Sequence, residues 1–348
     1  MAKIDVLLRD VMRHNGSDIH LEQGQKPKMR LQGELTEIPS QSQLTGDFLK
    51  EILLEITGQE LWAHFEDTGD IDFAYALGQE ARFRANCFRH FHGYGAVLRL
   101  IPSKIRSIEE LDMPVVLKRF ADLRSGLVLV TGPTGSGKST TLAAIINHLN
   151  STLDRKIVTI EEPVEFMHPN KKSVIVQREV GLDTHSFASG LRGVLKSNTD
   201  IILVGEMRDR ETIELALTAA EMGMLVFGTL HTNSAAKTID RIIDVFPANK
   251  KNQIRSVLAS VLKGVVAQQL LRSKDGARRW VAYEIMLQSA ALGAIIRAGD
   301  TAKLISEIQM NRQSGMILMD DCLTQLVHSG KVAKEEAYLK AMDKSKFV

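Results

Sequence analysis

The sequence predicts an α/β protein with two domains and a helical C-terminal region. Its length of 348 residues suggests about two domains. From about residue 115, apolar strand-like runs alternate with glycine turns and helices, a rhythm typical of a parallel sheet covered on both faces. The first hundred residues follow a different pattern, in which short helices mix with alternating strands. We therefore expect an α+β domain followed by a larger α/β domain.

Residues 1–101 are the expected α+β domain. An amphipathic helix opens it, and SDIHLEQ and KPKMRLQGEL are typical of strands. The segment TGDFLKEILLEITGQELWAHFED indicates two helices, and residues 70–101 alternate as the strands of an antiparallel meander do. The prolines and mixed charges of IPSKIRSIEELDMP place a linker at 102–114. The apolar face of the opening helix consists of Ile4, Leu7, Leu8 and Val11.

Residues 115–288 are the expected α/β domain, and residues 289–348 are the helical C-terminal region. Apolar strands are predicted in GLVLVTG, KIVTI, DIILVGE and MLVFGTL. The helix after the first of these strands has an apolar face, and so has a helix near residue 242. The sequence contains no internal repeat and no low-complexity segment.

The composition argues against several classes of function. The formal net charge is +2 with no run of like charges, so nothing indicates a nucleic-acid-binding protein. Cys87 and Cys322 lie outside any CxxC pair, which excludes a cysteine-rich zinc module and suits a reducing compartment. The N-terminus has no apolar signal-peptide core, and no run approaches the roughly 18 to 20 apolar residues of a membrane span. We expect a cytoplasmic protein that reaches a membrane only through a partner and does not insert into it.

The segment GPTGSGKST matches the phosphate-binding pattern GxxxxGK[ST]. Its glycines permit a tight loop whose backbone N–H groups face phosphate oxygens. Lys138 can reach the β- and γ-phosphates, and the Ser139 hydroxyl can ligate Mg²⁺. The segment follows an apolar strand and precedes an amphipathic helix, which is the context that this mechanism requires. Because no NKxD-type guanine-binding motif is present, ATP with Mg²⁺ is the expected ligand. The predicted nucleotide-binding residues are Gly132, Pro133, Thr134, Gly135, Ser136, Gly137, Lys138, Ser139 and Thr140.

Two of the predicted strands are followed by acidic residues. Glu161 and Glu162 follow KIVTI, Glu165 comes shortly after them, and Glu206 follows DIILV and a glycine. The carboxyl ends of parallel strands meet at the edge where the phosphate loop also lies. Acids at that edge can hold Mg²⁺, directly or through water, or orient the attacking water. Spacing does not decide which of them is the general base, and any one alone could be a solvated loop acid.

A histidine follows the last predicted strand, in GTLHTNS. Lone histidines are mostly structural, so His231 taken by itself could be a core residue. The alternative is a sensor of something bound at the end of its strand.

Many motifs occur in an order that resembles the secretion ATPase superfamily, and within it the retraction ATPases of type IV pili. They include GSDIHL, RFRANCFR, VLVTGPTGSGKSTTLAAIINHLN, IEEPVEF, ILVGEMRDRETIELALTAAEMG and LVFGTLHTNSAAKTIDRIIDVFP. The resemblance covers nearly the whole chain. It implies an N-terminal PAS-like α+β domain, a RecA-like P-loop ATPase core and a homohexameric ring. It also implies that ATP hydrolysis is coupled to removal of pilin from the pilus base. The implied partner is an inner-membrane platform protein, with pilin handled indirectly.

The resemblance assigns roles to residues by position. Glu165 matches the catalytic glutamate, Glu206 matches the Walker B acid, and His231 is the His-box residue near the γ-phosphate. Glu161 and Glu162 fall in the Asp box, where the family usually has Glu-Asp. The metal-site residues so implied are Ser139, Glu161, Glu162 and Glu206.

Two arginines of the first domain match those that the family places against the phosphates. Arg84 and Arg99 are expected on two neighbouring strands, and in a ring they can act in trans. They would neutralise charge as the γ-phosphate leaves. Each of them alone could equally be a solvent-facing residue of a basic strand.

Residues 291–298, ALGAIIRA, differ from the family's retraction signature AIRNLIRE. Gly293, Ala294 and Ala298 replace its arginine, asparagine and glutamate. The difference favours, as the second hypothesis, an accessory retraction ATPase that assists another motor. An assembly or secretion ATPase is disfavoured because the sequence shows neither the extra N-terminal domain nor the four-cysteine motif of those enzymes. A DNA translocase is disfavoured by the near-neutral charge, and a non-enzymatic ring would bind nucleotide with negligible turnover.

Overall fold

The computed structural model describes residues 2–31, 34–39, 42–78, 80–101, 104–276 and 278–348. Contacts between residues divide the chain into two compact units. The first comprises Met1–Lys104 and Pro163–Met167, and the second comprises Ile105–Glu162 and His168–Val348. Within the described ranges, no helix is both long and apolar enough to cross a membrane.

The described residues of the first unit form a six-stranded antiparallel sheet and two helices. In chain order the elements are α1 (Ile4–Arg13), β1 (Asp18–Glu22), β2 (Lys28–Leu31), β3 (Glu34–Glu37), α2 (Gly46–Thr68), β4 (Asp70–Leu77), β5 (Ala81–His90) and β6 (Gly93–Ile101). The strand order is β3-β2-β1-β6-β5-β4, with every neighbouring pair antiparallel. The expected meander over residues 70–101 is therefore present as β4, β5 and β6, and the chain returns through β6 to pair with β1.

One segment of this unit differs from its expected element, and another is as expected. The segment predicted as one strand, KPKMRLQGEL, contributes to both β2 and β3, with Gln32 and Gly33 lying outside the described residues. The two helices expected between Thr45 and Asp67 are present as the two halves of α2, which Gly58 separates with a non-helical φ of 70°. A positive φ is accessible to glycine without steric penalty, so Gly58 bends the element between two helical halves.

The second unit contains a seven-stranded sheet among the described residues. After a short 3₁₀ helix (Val115–Asp122), its first elements are β7 (Gly126–Thr131), α3 (Lys138–Thr152), β8 (Lys156–Glu161), β9 (Val174–Glu179), α4 (Phe187–Val194), β10 (Ile201–Val204), α5 (Arg210–Glu221) and β11 (Leu225–Leu230). The remaining strands and α-helices are α6 (Ala235–Asp244), α7 (Ala248–Val261), β12 (Leu262–Arg272), β13 (Arg279–Leu287), α8 (Ala290–Ala298), α9 (Leu304–Met310), α10 (Met319–His328) and α11 (Lys334–Lys340). The strand order is β13-β12-β7-β11-β10-β8-β9, and neighbours are parallel except that β13 runs antiparallel to β12.

Helices cover both faces of this sheet, as the apolar strands predict. Along β7, Leu127 and Leu129 belong to one buried cluster, together with residues of α4 to α9. Val128 and Val130 belong to a second buried cluster, which includes the apolar face of α3. Successive side chains of a strand point to opposite faces, so a continuous apolar run is what a strand between two helical layers requires. The α/β fold class is confirmed.

The predicted strands are β7, β8, β10 and β11, whereas β9, β12 and β13 were not predicted. The strand β12 begins at Leu262, directly after the last residue of α7, with no turn residue between them. An apolar run without a break does not distinguish a buried strand from a buried helix segment. The strand β9 has a partly exposed pattern and follows a polar loop, so it gives little periodic signal.

Candidate nucleotide-binding site

The phosphate loop, residues 132–137, joins β7 to α3. Gly132, Gly135 and Gly137 have φ values of 146°, 77° and 88°, which side chains other than hydrogen rarely allow. A Cβ added to Gly132 would lie 2.3 Å from the Gln268 carbonyl oxygen and 2.5 Å from the Ser136 hydroxyl oxygen. The glycines therefore permit both the backbone conformation and the close packing of the loop against β12.

The loop places a helix N-terminus beside its concave side. Residue Gly137 caps α3 and has no side chain to accept from the first N–H groups of the helix. Such groups, together with the positive end of the helix dipole, form an anion-binding site. Lys138 is the first residue of α3, and its Nζ donates to the carbonyl oxygens of Gly132 at 2.9 Å and Pro133 at 3.1 Å. The amine of Lys138 thus lies over the loop, where a phosphate group would be bound.

Strand register brings the other predicted residues of this unit to the same edge. In β7 and β11, Thr131 is paired with Leu230, so the loop and His231 leave the sheet side by side. In β10 and β8, Val204 is paired with Ile160, so Glu206 and the pair Glu161-Glu162 also leave the sheet side by side. The expected grouping at the carboxyl edge is present for the residues of this unit.

Glu206 is the centre of a small charged cluster. Its Oε1 accepts from Arg208 Nε at 2.5 Å and contacts His231 Nε2 at 2.8 Å. Arg208 Nη1 lies 3.9 Å from Glu162 Oε2. The Glu206 side chain is 17% exposed, whereas His231 is 46% exposed. His231 is therefore no buried core histidine: it contacts Glu206 and is open to solvent.

The environment of Glu206 favours its ionised form. Burial by itself would raise the pKa of Glu206, but the hydrogen bond and charge of Arg208, with a smaller contribution from His231, outweigh it and lower the pKa. The same contact raises the pKa of Arg208. Glu206 is accordingly a carboxylate at neutral pH, as a metal ligand or an acceptor of a water proton must be.

Glu161 and Glu162 have different surroundings. Glu161 Oε1 accepts from the buried Thr159 hydroxyl at 2.7 Å and from Gln177 Nε2 at 3.2 Å. Glu162 is exposed, and its Oε2 lies 3.9 Å from Arg208 Nη1. These contacts tie Glu161 to β8 and β9, and they leave Glu162 the more accessible of the two.

Three of the predicted catalytic residues belong to the first unit. Glu165 is half-buried in Pro163–Met167, a segment in which Met167 accepts from Arg82 Nη1 at 3.2 Å. Arg84 and Arg99 are directly paired across β5 and β6, which confirms that they lie on neighbouring strands. Further contacts of the two arginines are the pairs Arg84–Asp72 at 3.8 Å and Arg99–Asp18 at 2.6 Å.

The buried carboxylate of Asp18 lies beside Arg99 and offsets its positive charge. Burial alone would raise the pKa of Asp18, but hydrogen bonds from Ser17 and Arg99 and the charge of Arg99 lower it. Two like charges placed opposite each other on a sheet repel, and the Asp18 carboxylate, which pairs with Arg99 from the other side of β6, offsets the charge of Arg99.

No group of three or more His, Cys, Asp or Glu side chains that could hold a metal occurs among the described residues. Mg²⁺ differs from other protein-bound metals in this respect, because it is usually held by one or two protein oxygens together with phosphates and water. The exposed Ser139 hydroxyl at the start of α3 and the Glu206 carboxylate are donors of the required type.

A family model described as type II/IV secretion system protein matches residues 1–340. The chain belongs to this family. The chain is 47% identical over 338 residues to the type IV pilus retraction ATPase PilT of Pseudomonas aeruginosa, covering 97% of this chain and 98% of that protein. It is 35% identical over 335 residues to the type IV pilus ATPase PilU of the same organism, covering 96% and 87%.

A crystal structure of the pilus retraction motor PilT with bound ADP has the same fold. Its TM-score is 0.92 at 38% identity, and the match covers 99% of both chains. These similarities confirm the predicted resemblance to the retraction ATPases and the predicted class of enzyme, an ATPase.

The sequence did not predict several residues that contact the site in this secretion-family chain. Arg208 contacts Glu206, as described above. A set of hydroxyl groups connects β7 with the His231 segment: Thr238 Oγ1 lies 2.7 Å from Thr232 Oγ1 and 3.4 Å from Thr131 Oγ1. Gln268 of β12 donates from Nε2 to the Ser136 carbonyl at 2.7 Å. Arg208 could have been found as a cation two positions after Glu206, whereas the contacts of Thr238 with Thr131 and of Gln268 with Ser136 join distant parts of the chain.

Proposed function

We propose that the chain is the subunit of a hexameric motor that couples ATP hydrolysis to type IV pilus retraction. The observation that carries the proposal is the phosphate loop at the same sheet edge as the Glu206–His231–Arg208 cluster, in a chain 47% identical to a retraction ATPase. On this proposal the first unit is the PAS-like domain and the second is the RecA-like core with its helical C-terminal region. The proposed domain bounds are 1–101, 115–288 and 289–348, with a linker at 102–114.

The loop and α3 would bind the phosphates of ATP. Lys138, which contacts two loop carbonyls, would exchange them for oxygens of the β- and γ-phosphates. Ser139 and Glu206, with Glu161 and Glu162 nearby through water, would hold Mg²⁺, which neutralises charge on those phosphates.

The acids and the histidine would serve hydrolysis. Glu165 would accept a proton from the attacking water, as the general base. His231 would contact the γ-phosphate while Glu206 holds its ring, and it would thereby report whether the γ-phosphate is present. Arg84 and Arg99, which lie opposite each other on β5 and β6, would neutralise charge on a neighbouring subunit's nucleotide.

The partners follow from the same proposal. A homohexameric ring would act on an inner-membrane platform protein from the cytoplasmic side, and pilin would be removed indirectly. Neither nucleic acid nor insertion of this chain into the membrane has a part in the proposal.

The test is pilus retraction in a strain whose own retraction ATPase gene is deleted. We expect the wild-type chain to restore retraction and Glu165→Gln to fail, while Glu60→Gln, a change at an exposed glutamate of α2, should behave as wild type. No rescue by a wild-type chain that hydrolyses ATP in vitro would reject the autonomous motor.

An accessory retraction ATPase is the second candidate, and the altered 291–298 element favours it. This element forms α8, in which Leu292 and Ile296 are fully buried. A Cβ on Gly293 would lie 3.4 Å from the Ala259 carbonyl oxygen, so α8 lies close to α7 at this position. Against this candidate, the identity to PilU, 35%, is lower than the identity to PilT, 47%. Rescue only when a second retraction ATPase is present would favour the accessory role.

A further inference from the structure

One side chain of β12 is directed at the phosphate loop from the side of the sheet. Gln268 is fully buried, and its Nε2 donates to the Ser136 carbonyl oxygen at 2.7 Å. The preceding residue, Ala267, pairs with Thr131, the last residue of β7, so Gln268 lies level with the start of the loop. A carbonyl oxygen can only accept, so the group that faces it must be the amide nitrogen.

The loop is held close to Gln268 at both of its ends. A Cβ on Gly132 would lie 2.3 Å from the main-chain oxygen of Gln268, and a Cβ on Gly137 would lie 3.3 Å from its Nε2. The loop therefore passes over this residue with no room for a side chain at Gly132. The contact is part of a packed interface, because both the Gln268 side chain and Ser136 are buried.

The planarity of the peptide unit relates this contact to the direction of the next backbone N–H group. A trans peptide is planar, and its C=O and N–H groups point in opposite directions. The Ser136 carbonyl and the Gly137 N–H belong to one peptide unit. Since Gln268 holds the carbonyl toward β12, the Gly137 N–H must point away from the sheet interior, to the concave side of the loop.

We propose that Gln268 is a positioning residue of the nucleotide site, which fixes the Ser136–Gly137 peptide so that its N–H faces the phosphates. The inference rests on the proposed function, because it needs this loop to bind a phosphate group. A preorganised donor binds an anion more tightly than one that must be reoriented first, since the ordering is completed before binding. Gln268 itself does not touch the nucleotide on this proposal.

Adjacent Gln269 supplies a matched control. It lies on the same strand and is also buried, but its Nε2 donates to the Lys340 carbonyl oxygen at 3.2 Å, at the end of α11. Neighbouring side chains on a strand point to opposite faces. Gln268→Met and Gln269→Met therefore remove the same group from the same strand, and only the first removes a bond to the loop.

The experiment is calorimetric titration of the purified full chain and both variants with ADP, with steady-state ATPase kinetics alongside. We expect the dissociation constant for ADP and the KM for ATP to rise about tenfold in Gln268→Met, which is the loss of about one hydrogen bond. The kcat at saturating ATP should change by less than about threefold, since contacts with the bound γ-phosphate orient the Ser136–Gly137 peptide once ATP is bound. Gln269→Met should bind ADP as the wild type does.

Two outcomes would overturn the inference. Wild-type affinity for ADP in Gln268→Met would show that the peptide needs no anchor, and equal losses in both variants would show a general effect on β12. If Gln268→Met does not fold, Gln268→Asn gives the same comparison, because its amide is one methylene too short to reach Ser136. Failure of the wild type to bind ADP would instead reject the proposed function, so the two failures are distinguishable.

Discussion

Glu284 provides the sharpest test of how the fold supports the site. It lies on β13, is 6% exposed, and its Oε1 accepts from the Ala235 backbone N–H at 2.7 Å. Its Oε2 accepts from the Met319 N–H at 3.4 Å. Ala235 opens α6 and Met319 opens α10, whose N-cap residue Leu318 has no side-chain oxygen. One carboxylate therefore caps two helices.

Replacement of Glu284 by alanine should leave both buried N–H groups without this acceptor. An unsatisfied buried donor costs about 1 to 3 kcal/mol, and the longer bond counts for less because hydrogen bonds weaken with distance. Burial raises the pKa of Glu284, so removal of its charge recovers part of this loss. We expect the free energy of unfolding to fall by about 2 kcal/mol in Glu284→Ala and by about 1 kcal/mol in Glu284→Gln, which retains one acceptor oxygen.

The same contact has a pH dependence of definite sign. The pKa of Glu284 is higher in the folded state than in the unfolded chain, where a glutamate has a value of about 4.3. The folded state thus holds its proton to higher pH, and the stability that Glu284 contributes decreases as pH rises through the folded pKa. The stability difference between the wild type and Glu284→Gln should accordingly be larger at pH 5 than at pH 8.

The ATPase rate should also fall in Glu284→Ala, because α6 begins shortly after His231. If the first turn of α6 frays, the contact between His231 and Glu206 is no longer held, and kcat should fall about tenfold. ADP affinity should stay within about twofold, because Glu284 makes no hydrogen bond to the phosphate loop among the described contacts. Thermal unfolding, calorimetric titration and ATPase rates measure these three effects.

Matched controls separate this effect from a general loss of charge. Glu221→Ala removes an exposed glutamate at the end of α5 and should change none of the three quantities. An unchanged melting temperature in Glu284→Ala would refute the double cap. Weaker ADP binding with a normal kcat would refute the proposed link to His231.

The other predictions concern single residues. Lys138→Ala should lower ADP affinity at least tenfold and abolish turnover, and normal turnover would remove the phosphate loop from the site. Glu165→Gln should retain ATP binding while ATPase activity falls by about 10² to 10⁴; if Glu206→Gln alone had this effect and Glu165→Gln were silent, Glu206 would be the base. Burial lowers the pKa of His168 to about 4, below its unfolded value of about 6.5, so the unfolded chain binds the proton first and stability falls as pH drops between these values. His168→Phe should remove up to about 3 kcal/mol of this acid sensitivity, and equal pH profiles of urea unfolding in the two proteins would contradict it.

Parts of the site could be predicted because they are contiguous or lie where strands end. The phosphate loop is a local pattern whose mechanism needs only a strand before it and a helix after it. Glu206 and His231 could be placed together because neighbouring parallel strands end at one edge. The sequence did not show that Glu206 would share one oxygen between Arg208 and His231, since that depends on side-chain directions beyond the strand ends.

Other parts depend on contacts that no local pattern contains. Gln268 contacts Ser136 only because β12 pairs with β7. The sequence pattern of β12 could not be distinguished from a continuation of α7, which ends directly before it. The segment of Glu165 is similar in this respect. Glu165 was grouped with Glu161 by spacing, yet Pro163–Met167 belongs to the first unit and Glu161 to the second.

These contacts join the edge of the second unit into one hydrogen-bonded rim. Gln268 links β12 to the loop after β7, Thr238 links β7 to the segment after β11, and Glu206 links that segment to β10. Gln268 lies within β12, level with the end of β7, Glu206 lies just beyond the end of β10, and Thr238 lies in α6. The register of the sheet and the position of α6 together align these links. Residues that share one network do not contribute independently, and Glu284 caps α6, the helix that carries Thr238. Substitutions of Gln268 and Glu284 should therefore be non-additive in ATPase activity, although the two side chains lie on opposite faces of the sheet. Additive effects would mean that the loop and the His231 segment respond to nucleotide separately, and the rim would then be a set of neighbours instead of a unit.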